Sequence, residues 1–274
     1  MSEDSWGGAD LDLEAYLVRI EYRGDLAHTA ETLRALQRAH VLSVPWDNLD
    51  MVLRRPVRLD VEGLQDKLVR QRRGGTCSEH TTLFAAALER LGFRPTGMSG
   101  RVQMGATKIR PATHGLLRVP VEDQVWLCDV GFGGSPLEPV ELTDGAESKQ
   151  DDWHYALAWE TDRWVLRSRR GGEWLTVHTF TEDRRYPVDY AVTNHYVATN
   201  PRSPFSGRVM AQRVTPEAHL MLENTRLTTT RPERAAEVQD HEPAEIVDVL
   251  ADVFRVHVAS EDVPAVLEVL SAVR

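Results

Sequence analysis

A cysteine directly ahead of an amphipathic helical run is the most chemically informative feature of the sequence. Cys77 lies two residues after the glycine pair Gly74-Gly75 and immediately before the run at residues 78–91. A thiol at the start of a helix lies among unpaired backbone N–H groups and at the positive end of the helix dipole. Both effects favour the thiolate, which is the nucleophilic form. The alternative is a small buried apolar side chain, and this residue alone does not decide between the two.

Two further residues could complete a nucleophilic site around that sulfur. His114 immediately precedes a predicted strand at residues 115–119, and Asp129 ends the next predicted strand at residues 125–129. A cysteine nucleophile needs an imidazole to take its proton, and it profits from a carboxylate that orients the imidazole. Two antiparallel strands could hold His114 and Asp129 side by side, with the Cys77 helix packed against them. The residues therefore suggest a Cys-His-Asp triad, although ten histidines offer many accidental combinations.

Other chemical interpretations have weaker support. His80 is a rival base, but three residues after Cys77 its side chain should follow the helix flank rather than face the sulfur. Cys128 should point to the opposite face of its strand from Asp129 and belong to the core. The sequence lacks the paired Cys or His spacings typical of zinc sites, and it lacks phosphate-binding and dinucleotide-binding loops. We therefore expect no metal and no bound cofactor.

The segments that would position these residues change character along the chain. Helical spacing predominates before residue 93, short β-rich runs follow, and helical spacing returns near the carboxyl end. We predict helices at residues 11–20, 29–40, 61–72, 77–91, 243–254 and 261–273. We predict strands at residues 115–119, 125–129, 153–158, 164–167 and 174–180. Residues 206–243 carry weak signals.

Composition narrows the class of protein without indicating an activity. The 274 residues carry a net charge of −10, which argues against a nucleic-acid partner. No apolar run approaches the ~20 residues that span a bilayer, and the amino terminus lacks the pattern of a signal peptide. Two cysteines are too few for a disulfide framework and suit a reducing compartment. We expect a soluble cytoplasmic protein without nucleic-acid or membrane partners.

Six different short motifs follow one another along the chain. They are Tyr16-Leu17-Val18-Arg19-Ile20, Val44-Pro45-Trp46-Asp47-Asn48, Arg73-Gly74-Gly75-Thr76-Cys77 with Glu79, Thr113-His114, Asp129-Val130-Gly131-Phe132-Gly133, and Asn194 with Pro201-Arg202-Ser203-Pro204-Phe205. In order and spacing this series resembles the arylamine N-acetyltransferase family. The resemblance implies an α+β fold of three domains: a helical domain (1–92), an antiparallel β-barrel (93–200) and an α/β lid (201–274). It also implies a cysteine-protease-like core with Cys77, His114 and Asp129 as the triad.

The resemblance further implies an acyl transfer through a covalent intermediate. Cys77 would take the acyl group of a thioester and pass it to an aromatic amine, and His114 would manage the protons. The thioester is then a co-substrate rather than a bound cofactor. We expect substrate contacts beside the sulfur and in the loop after Asp129, at Thr76, Ser78, Phe132, Gly133 and Gly134.

Departures from the family pattern bear on the substrate. Family members usually carry an aromatic residue on each side of the cysteine and often an asparagine four positions later, where this chain has Thr76, Ser78 and Thr81. Small polar side chains there favour a bulkier acyl chain. The family's amide synthases accept such chains, closing a carrier-bound ansamycin-type polyketide onto its own aromatic amine as a macrolactam. Our preferred hypothesis is an amide synthase, with an amine-bearing polyketide as substrate and an acyl carrier protein as partner.

Three alternatives remain open on the sequence. An arylamine N-acetyltransferase would use acetyl-CoA and a small aromatic amine. A thiol hydrolase would use the same triad with water as the acceptor. A non-catalytic binding module would be expected to have lost one of the triad positions, and all three are present.

Overall fold

Two antiparallel sheets and several short helices make up the chain. The structure is a computed structural model, and it describes residues 5–272. In this range the α-helices are α1 Leu13–Arg19, α2 Ala30–Ser43, α3 Leu49–Val52, α4 Val61–Leu64, α5 Cys77–Arg90, α6 Pro187–Thr199, α7 Ile246–Asp252 and α8 Val263–Ala272. The strands are β1 Trp46–Asp47, β2 Thr96–Val102, β3 His114–Val121, β4 Gln124–Cys128, β5 Val140–Glu141, β6 Ala146–Gln150, β7 Trp153–Glu160, β8 Arg163–Arg170, β9 Glu173–Phe180, β10 Met210–Val214, β11 His219–Glu223, β12 Arg226–Thr230 and β13 Glu237–Asp240. Among these helices there is none with the length and apolar character needed to cross a membrane.

The amino-terminal helices form where the sequence supplies caps. Thr29 caps α2 by accepting a hydrogen bond from the Thr32 N–H at 3.2 Å, at the position that the sequence predicts. The helix predicted at residues 61–72 forms with a change of winding, because α4 runs directly into a π-helical turn at Gln65–Arg70. That turn buries Lys67, which becomes part of the candidate site.

The larger sheet has eight strands and coils into a nearly closed barrel. Its strand order is β5-β4-β3-β2-β9-β8-β7-β6, and the two edge strands β5 and β6 contact each other. All five strands predicted from the sequence lie in this sheet. Helix α5 packs against β3. The sheet therefore brings His114, the first residue of β3, and Asp129, the residue after β4, to the helix that begins at Cys77.

A five-stranded sheet occupies the region where the sequence signals are weak. Its order is β1-β10-β11-β12-β13, and it shares a second apolar core with α3, α7 and α8. Strand β13 is exposed along its whole length, so it lacks the alternation of apolar and polar residues that reveals a strand. Strand β1 comes from the helical segment and pairs with β10, with Trp46 opposite Gln212 and Asp47 opposite Ala211.

The predicted domain boundaries meet these elements in different ways. The boundary at 92/93 falls between α5 and β2, and the boundary at 200/201 follows α6. Helix α6 is missed by the sequence prediction because exposed Val188 and Val192 obscure its apolar face. Since β1 belongs to the first segment by sequence and to the last by pairing, the three-domain division remains a prediction.

A chain of buried hydrogen bonds runs through the helical core. Tyr16 Oη lies 2.8 Å from His40 Nδ1, and His40 Nε2 lies 2.9 Å from His80 Nδ1. His80 Nε2 lies 3.1 Å from the Pro45 carbonyl oxygen. Because a carbonyl only accepts, each ring donates from Nε2 and accepts at Nδ1, and both imidazoles are neutral. Burial accordingly lowers the pKa of His80 to about 4. His80 is thus bonded to the core, as expected of a residue that is not the catalytic base.

We expect the protein to lose stability as the pH falls from about 7 to 5. Burial lowers the pKa of four histidines, His40, His80, His178 and His219. The unfolded chain takes up these protons below the ordinary histidine pKa of about 6.5, so each ring costs the folded state about 1.4 kcal/mol per pH unit in that window. Burial raises the pKa of Asp47 and Glu79, which opposes this trend with fewer groups.

Thermal unfolding across this pH range measures the effect. The melting temperature should fall progressively below the ordinary histidine pKa, provided that each scan shows one reversible transition. A melting temperature that does not change with pH would contradict the burial of neutral imidazoles.

Candidate active site

The segment before α5 turns tightly because two glycines permit close backbone contacts. A side chain on Gly74 would meet the Pro45 carbonyl oxygen at 2.5 Å. The Asp47 N–H donates to the Gly75 carbonyl at 3.1 Å, and the Gly75 N–H donates to the Pro45 carbonyl at 3.3 Å. These contacts attach the segment to β1. They bring the chain to Cys77, which is the first residue of α5 as predicted.

Glu79 caps the helix that begins at Cys77. Its Oε2 accepts hydrogen bonds from the Thr76 backbone N–H at 2.8 Å and from the Thr76 hydroxyl at 3.1 Å. The Glu79 side chain is fully buried, so protein groups must replace the water around its charge. The motif series includes Glu79 without assigning it a role, although Thr-x-x-Glu ahead of an apolar run is the signature of a capping box.

A buried lysine neutralises that carboxylate. Lys67 Nζ lies 2.7 Å from Glu79 Oε1 and 2.8 Å from Asp50 Oδ2. Burial alone would lower the pKa of Lys67, but the surrounding carboxylates raise it above its ordinary value. Burial alone would raise the pKa of Asp50, but Lys67 and Arg73 lower it. The cluster therefore stays ionised and ties α3, the π-helical turn and α5 together.

His114 and Asp129 meet at the strand ends. His114 Nε2 lies 2.9 Å from Asp129 Oδ1, and both side chains are buried. Asp129 Oδ1 also accepts the Gly131 backbone N–H at 3.3 Å. Burial alone would raise the pKa of Asp129, but His114 and His178 lower it. Asp129 is therefore a carboxylate that can orient the His114 ring.

The Cys77 sulfur lies next to the residue that precedes the same imidazole, Thr113. Burial alone would lower the pKa of His114, but the Asp129 carboxylate and the hydrogen bond with Cys77 raise it to about 10. Since Nε2 faces Asp129, Nδ1 is the ring nitrogen left for the sulfur. Cys77 is only 8% exposed, and its Sγ lies 3.7 Å from the Thr113 carbonyl oxygen. The structure thus brings the three predicted residues together around one narrow approach to the sulfur.

The glycine-rich loop after Asp129 lies against the cysteine. A side chain on Gly131 would come within 2.8 Å of Cys77 Cα, so only glycine permits this approach. Phe132 packs at a steep angle against His114, with ring centroids 5.8 Å apart. Phe132 therefore borders His114, and substrate binding by Phe132 remains a prediction.

The remaining predicted substrate contacts lie in two different settings. Gly133 donates its N–H to Gln212 Oε1 at 2.7 Å, and Gly134 adjoins the Arg170 guanidinium. Thr76 and Ser78 are both buried. Substrate binding by these residues remains a prediction.

Gln212 and Arg170 are not predicted from the sequence to lie at the site. They come from β10 and β8, and neither carries a local signal that relates it to residues 131–134. Only the meeting of the two sheets places them at the loop.

His178 on β9 is a second histidine beside Asp129 that the sequence analysis does not single out. Its Nδ1 lies 3.7 Å from Asp129 Oδ2, and its ring centroid lies 5.5 Å from that of His114. Burial lowers the pKa of His178 to about 4, so it faces the carboxylate as a neutral ring. Cys128, in contrast, lies in the core as predicted, where burial raises its pKa well above the ordinary value.

One set of side chains has the spacing that a metal ion would need. His114, Asp129 and His178 each offer a donor atom, and these atoms lie within 4.8 Å of one another. The set is invisible in the sequence because its members belong to three separate strand ends. Asp129 and His114 are already hydrogen-bonded to each other, so their arrangement is accounted for without an ion.

Known proteins share this architecture. The N-acetyltransferase family model matches residues 29–263. An arylamine N-acetyltransferase of Mycobacterium tuberculosis is 35% identical over 256 residues, covering 91% of this chain and 90% of the relative. The crystal structure of the Nocardia farcinica arylamine N-acetyltransferase is 45% identical, covers 99% of both chains and superposes with a TM-score of 0.95. The Mycobacterium marinum arylamine N-acetyltransferase in complex with CoA is 33% identical, with a TM-score of 0.87 over 96% of this chain and 99% of that one.

Fold and relatives together define an N-acyltransferase with an α+β architecture. The chain belongs to the arylamine N-acetyltransferase family, as the ordered motif series predicts.

We expect Lys67→Met to lower the free energy of unfolding by about 3–5 kcal/mol, because it leaves Glu79 buried without its cation and Asp50 with Arg73 alone. Urea unfolding of the variant and the wild type measures the difference. Arg70→Met is the matched control, since it removes an exposed ion pair with Glu62 from the same π-helical turn. That control should cost much less, because an exposed ion pair contributes little to stability. Equally small losses in both variants would show that the buried cluster does not stabilise the segment before Cys77.

Proposed function

We propose that this protein is an arylamine N-acetyltransferase that uses acetyl-CoA and works through an acetyl-Cys77 intermediate. The observation that supports the proposal most strongly is the position of His114, which is held by Asp129 and directly follows Thr113, whose carbonyl oxygen lies 3.7 Å from the Cys77 sulfur. Such an arrangement prepares a thiolate next to an imidazolium. This pair is the activated form that thiol acyltransfer requires.

The first half-reaction loads the enzyme. With its proton on His114, the Cys77 thiolate attacks the thioester carbonyl of acetyl-CoA. A new carbon–sulfur bond to Cys77 forms, and the carbon–sulfur bond to coenzyme A breaks. The departing thiolate takes the proton from His114. One thioester replaces another, so the main requirement is a ready nucleophile rather than an energy source.

The second half-reaction forms the amide. The amine nitrogen attacks the carbonyl carbon of acetyl-Cys77, and the bond from that carbon to the sulfur breaks. The amine proton passes to neutral His114, which restores the imidazolium and the thiolate together. An aromatic amine suits this step because it is unprotonated at neutral pH and offers its lone pair directly.

Asp129 acts on His114 rather than on the substrate. Its bond to Nε2 fixes the ring so that Nδ1 faces the sulfur, and its charge stabilises the imidazolium in both half-reactions. Hydrolysis of the acetyl-enzyme would need water at the sulfur. The relatives that match along the whole chain are named arylamine N-acetyltransferases, and this favours transfer to an amine over the thiol hydrolase hypothesis.

The donor that fits best is acetyl-CoA rather than a carrier-bound polyketide. The relatives are named as acetyltransferases, and the Mycobacterium marinum protein is in complex with CoA. The amide-synthase hypothesis depends on Thr76 and Ser78 widening the space beside the sulfur. Both residues are buried, and the Thr76 hydroxyl is committed to Glu79. Their small size therefore does not by itself make room for a long acyl chain, and the relatives give no support to an acyl carrier protein as partner.

Acetyl-CoA should add one acetyl group to the wild-type protein and none to Cys77→Ala, read by intact mass. Asp129→Asn should keep the fold and slow acetylation by about 10²–10⁴-fold, because a neutral amide no longer stabilises the His114 cation. Asp123→Asn, at an exposed site in the turn between β3 and β4, is the matched control and should react at the wild-type rate. Acetylation of Cys77→Ala at the wild-type rate would overturn the proposed nucleophile. A near-normal rate in Asp129→Asn would remove the carboxylate from the mechanism.

A pair of donors separates the two transferase hypotheses. We expect acetyl-CoA to acylate Cys77 at least about tenfold faster than a long aryl-bearing acyl pantetheine thioester at equal concentration, because the approach to the sulfur is narrow. The time course of intact mass gives both rates, and added aniline should then release acetanilide. Faster loading by the long thioester, with release of a cyclic amide, would instead favour the amide synthase.

A further inference from the structure

A cavity of about 820 Å³ lies between helices, apart from the Cys77 site. It is bounded by α3 and the loop that follows it, by α6, by the turn at Ser206 and Gly207, and by Val269 of α8. The lining residues include none of the triad and none of the loop after Asp129. A volume of this size suits a small organic molecule, since such sites measure roughly 300–1,000 Å³.

Most of the cavity wall is apolar. The apolar side chains come from α3, its following loop, α6 and α8, and they are Met51, Val52, Pro56, Val57, Leu59, Ala191, Ala198 and Val269. This surface would hold the hydrocarbon part of a ligand by excluding water from it.

The charged groups at the cavity are cationic. Arg54 and Arg55 both line it, and within residues 5–272 no carboxylate does. Arg55 is held by Asp262 through two hydrogen bonds of 2.9 and 2.7 Å. The Arg54 guanidinium is exposed and has no hydrogen-bond or ion-pair partner in the described part of the chain. Arg54 is therefore the charge that remains available to an anionic ligand.

The buried amide of Asn194 holds two walls of the cavity together. Asn194 lines the cavity and is only 8% exposed. Its Nδ2 donates to the Val57 carbonyl at 3.1 Å, which ties α6 to the loop after α3. Its Oδ1 has almost no accessible surface, so the polar contact available to a ligand is the Arg54 guanidinium.

We propose that this cavity binds a small amphipathic organic anion. The carboxylate or phosphate pairs with Arg54, and the apolar body lies on the hydrocarbon wall. The site is independent of the acetyl transfer proposed at Cys77. Carboxylates and phosphates share the required charge, and separate probes tell them apart.

Isothermal titration with three probes tests this site. N-octanoylglycine carries a carboxylate, phosphorylated N-octanoylethanolamine carries a phosphate, and N-octanoylethanolamine is neutral; all three have the same chain and an amide N–H. We expect at least one anion to bind ten times or more tightly than the neutral compound. Arg54→Gln should remove about that tenfold preference, since a charge-assisted hydrogen bond is lost. Ala198→Phe should weaken all three by filling the cavity.

The controls separate this site from the active site and from general surface charge. Arg23→Gln removes another exposed arginine and should leave every affinity unchanged. Binding should persist after iodoacetamide has blocked Cys77, and Arg54→Gln should keep the wild-type rate of acetyl transfer. The proposal is overturned if neither anion binds, if the neutral probe binds equally well, if Arg54→Gln keeps the preference, or if blocking Cys77 abolishes binding.

Discussion

The burial of the Glu79 carboxylate is the constraint on which the rest of the site depends. That group caps the helix of the cysteine through Thr76, and it can remain charged in the interior only because Lys67 lies beside it. An unpaired buried carboxylate costs on the order of several kcal/mol. The lysine reaches its position through a π-helical turn and is shared with Asp50 on α3. Helix α3, the π-helical turn and α5 must therefore pack together around this ion pair for Cys77 to have a defined position.

The His114–Asp129 pair lies beside the cysteine at the strand ends. Its buried carboxylate, like that of Glu79, needs a neighbouring cation to stay charged. Here too a carboxylate is buried and kept ionised by a cation, but this cation is an imidazole whose proton can leave. The lysine of the first cluster keeps its charge and so holds the backbone. In the proposed mechanism, the imidazole of the second exchanges its proton and so serves the chemistry. Cys77 lies between a static ion pair and a titratable one, and this difference explains why two buried carboxylates with similar surroundings have different roles.

Local signals in the sequence suffice for the reactive residues but not for their surroundings. Cys77 at a helix start and Asp129 at a strand end can be predicted because caps and strand alternation are short-range patterns. His178 cannot, since its proximity to Asp129 depends on how β9 enters the barrel. Strand β13 is missed because it is exposed along its whole length, and β10 and β11 are missed because the buried polar residues Gln212 and His219 interrupt their apolar pattern. A wide acyl site does not follow from the small side chains of Thr76 and Ser78. The Thr76 hydroxyl is hydrogen-bonded to Glu79, which the sequence prediction does not take into account.

The triad residues and the loop beside them are held in place by different parts of the chain. The triad needs only α5, β3 and β4, whereas the loop beside it is held by Gln212 of β10. The same strand pairs with β1, and Trp46 of β1 packs against Phe205 with ring centroids 5.2 Å apart. The smaller sheet therefore sets the position of Gly133 without contacting the sulfur through these bonds. Changes in β10 can therefore move Gly133 and alter the space beside Cys77 while the residues around the sulfur stay in place.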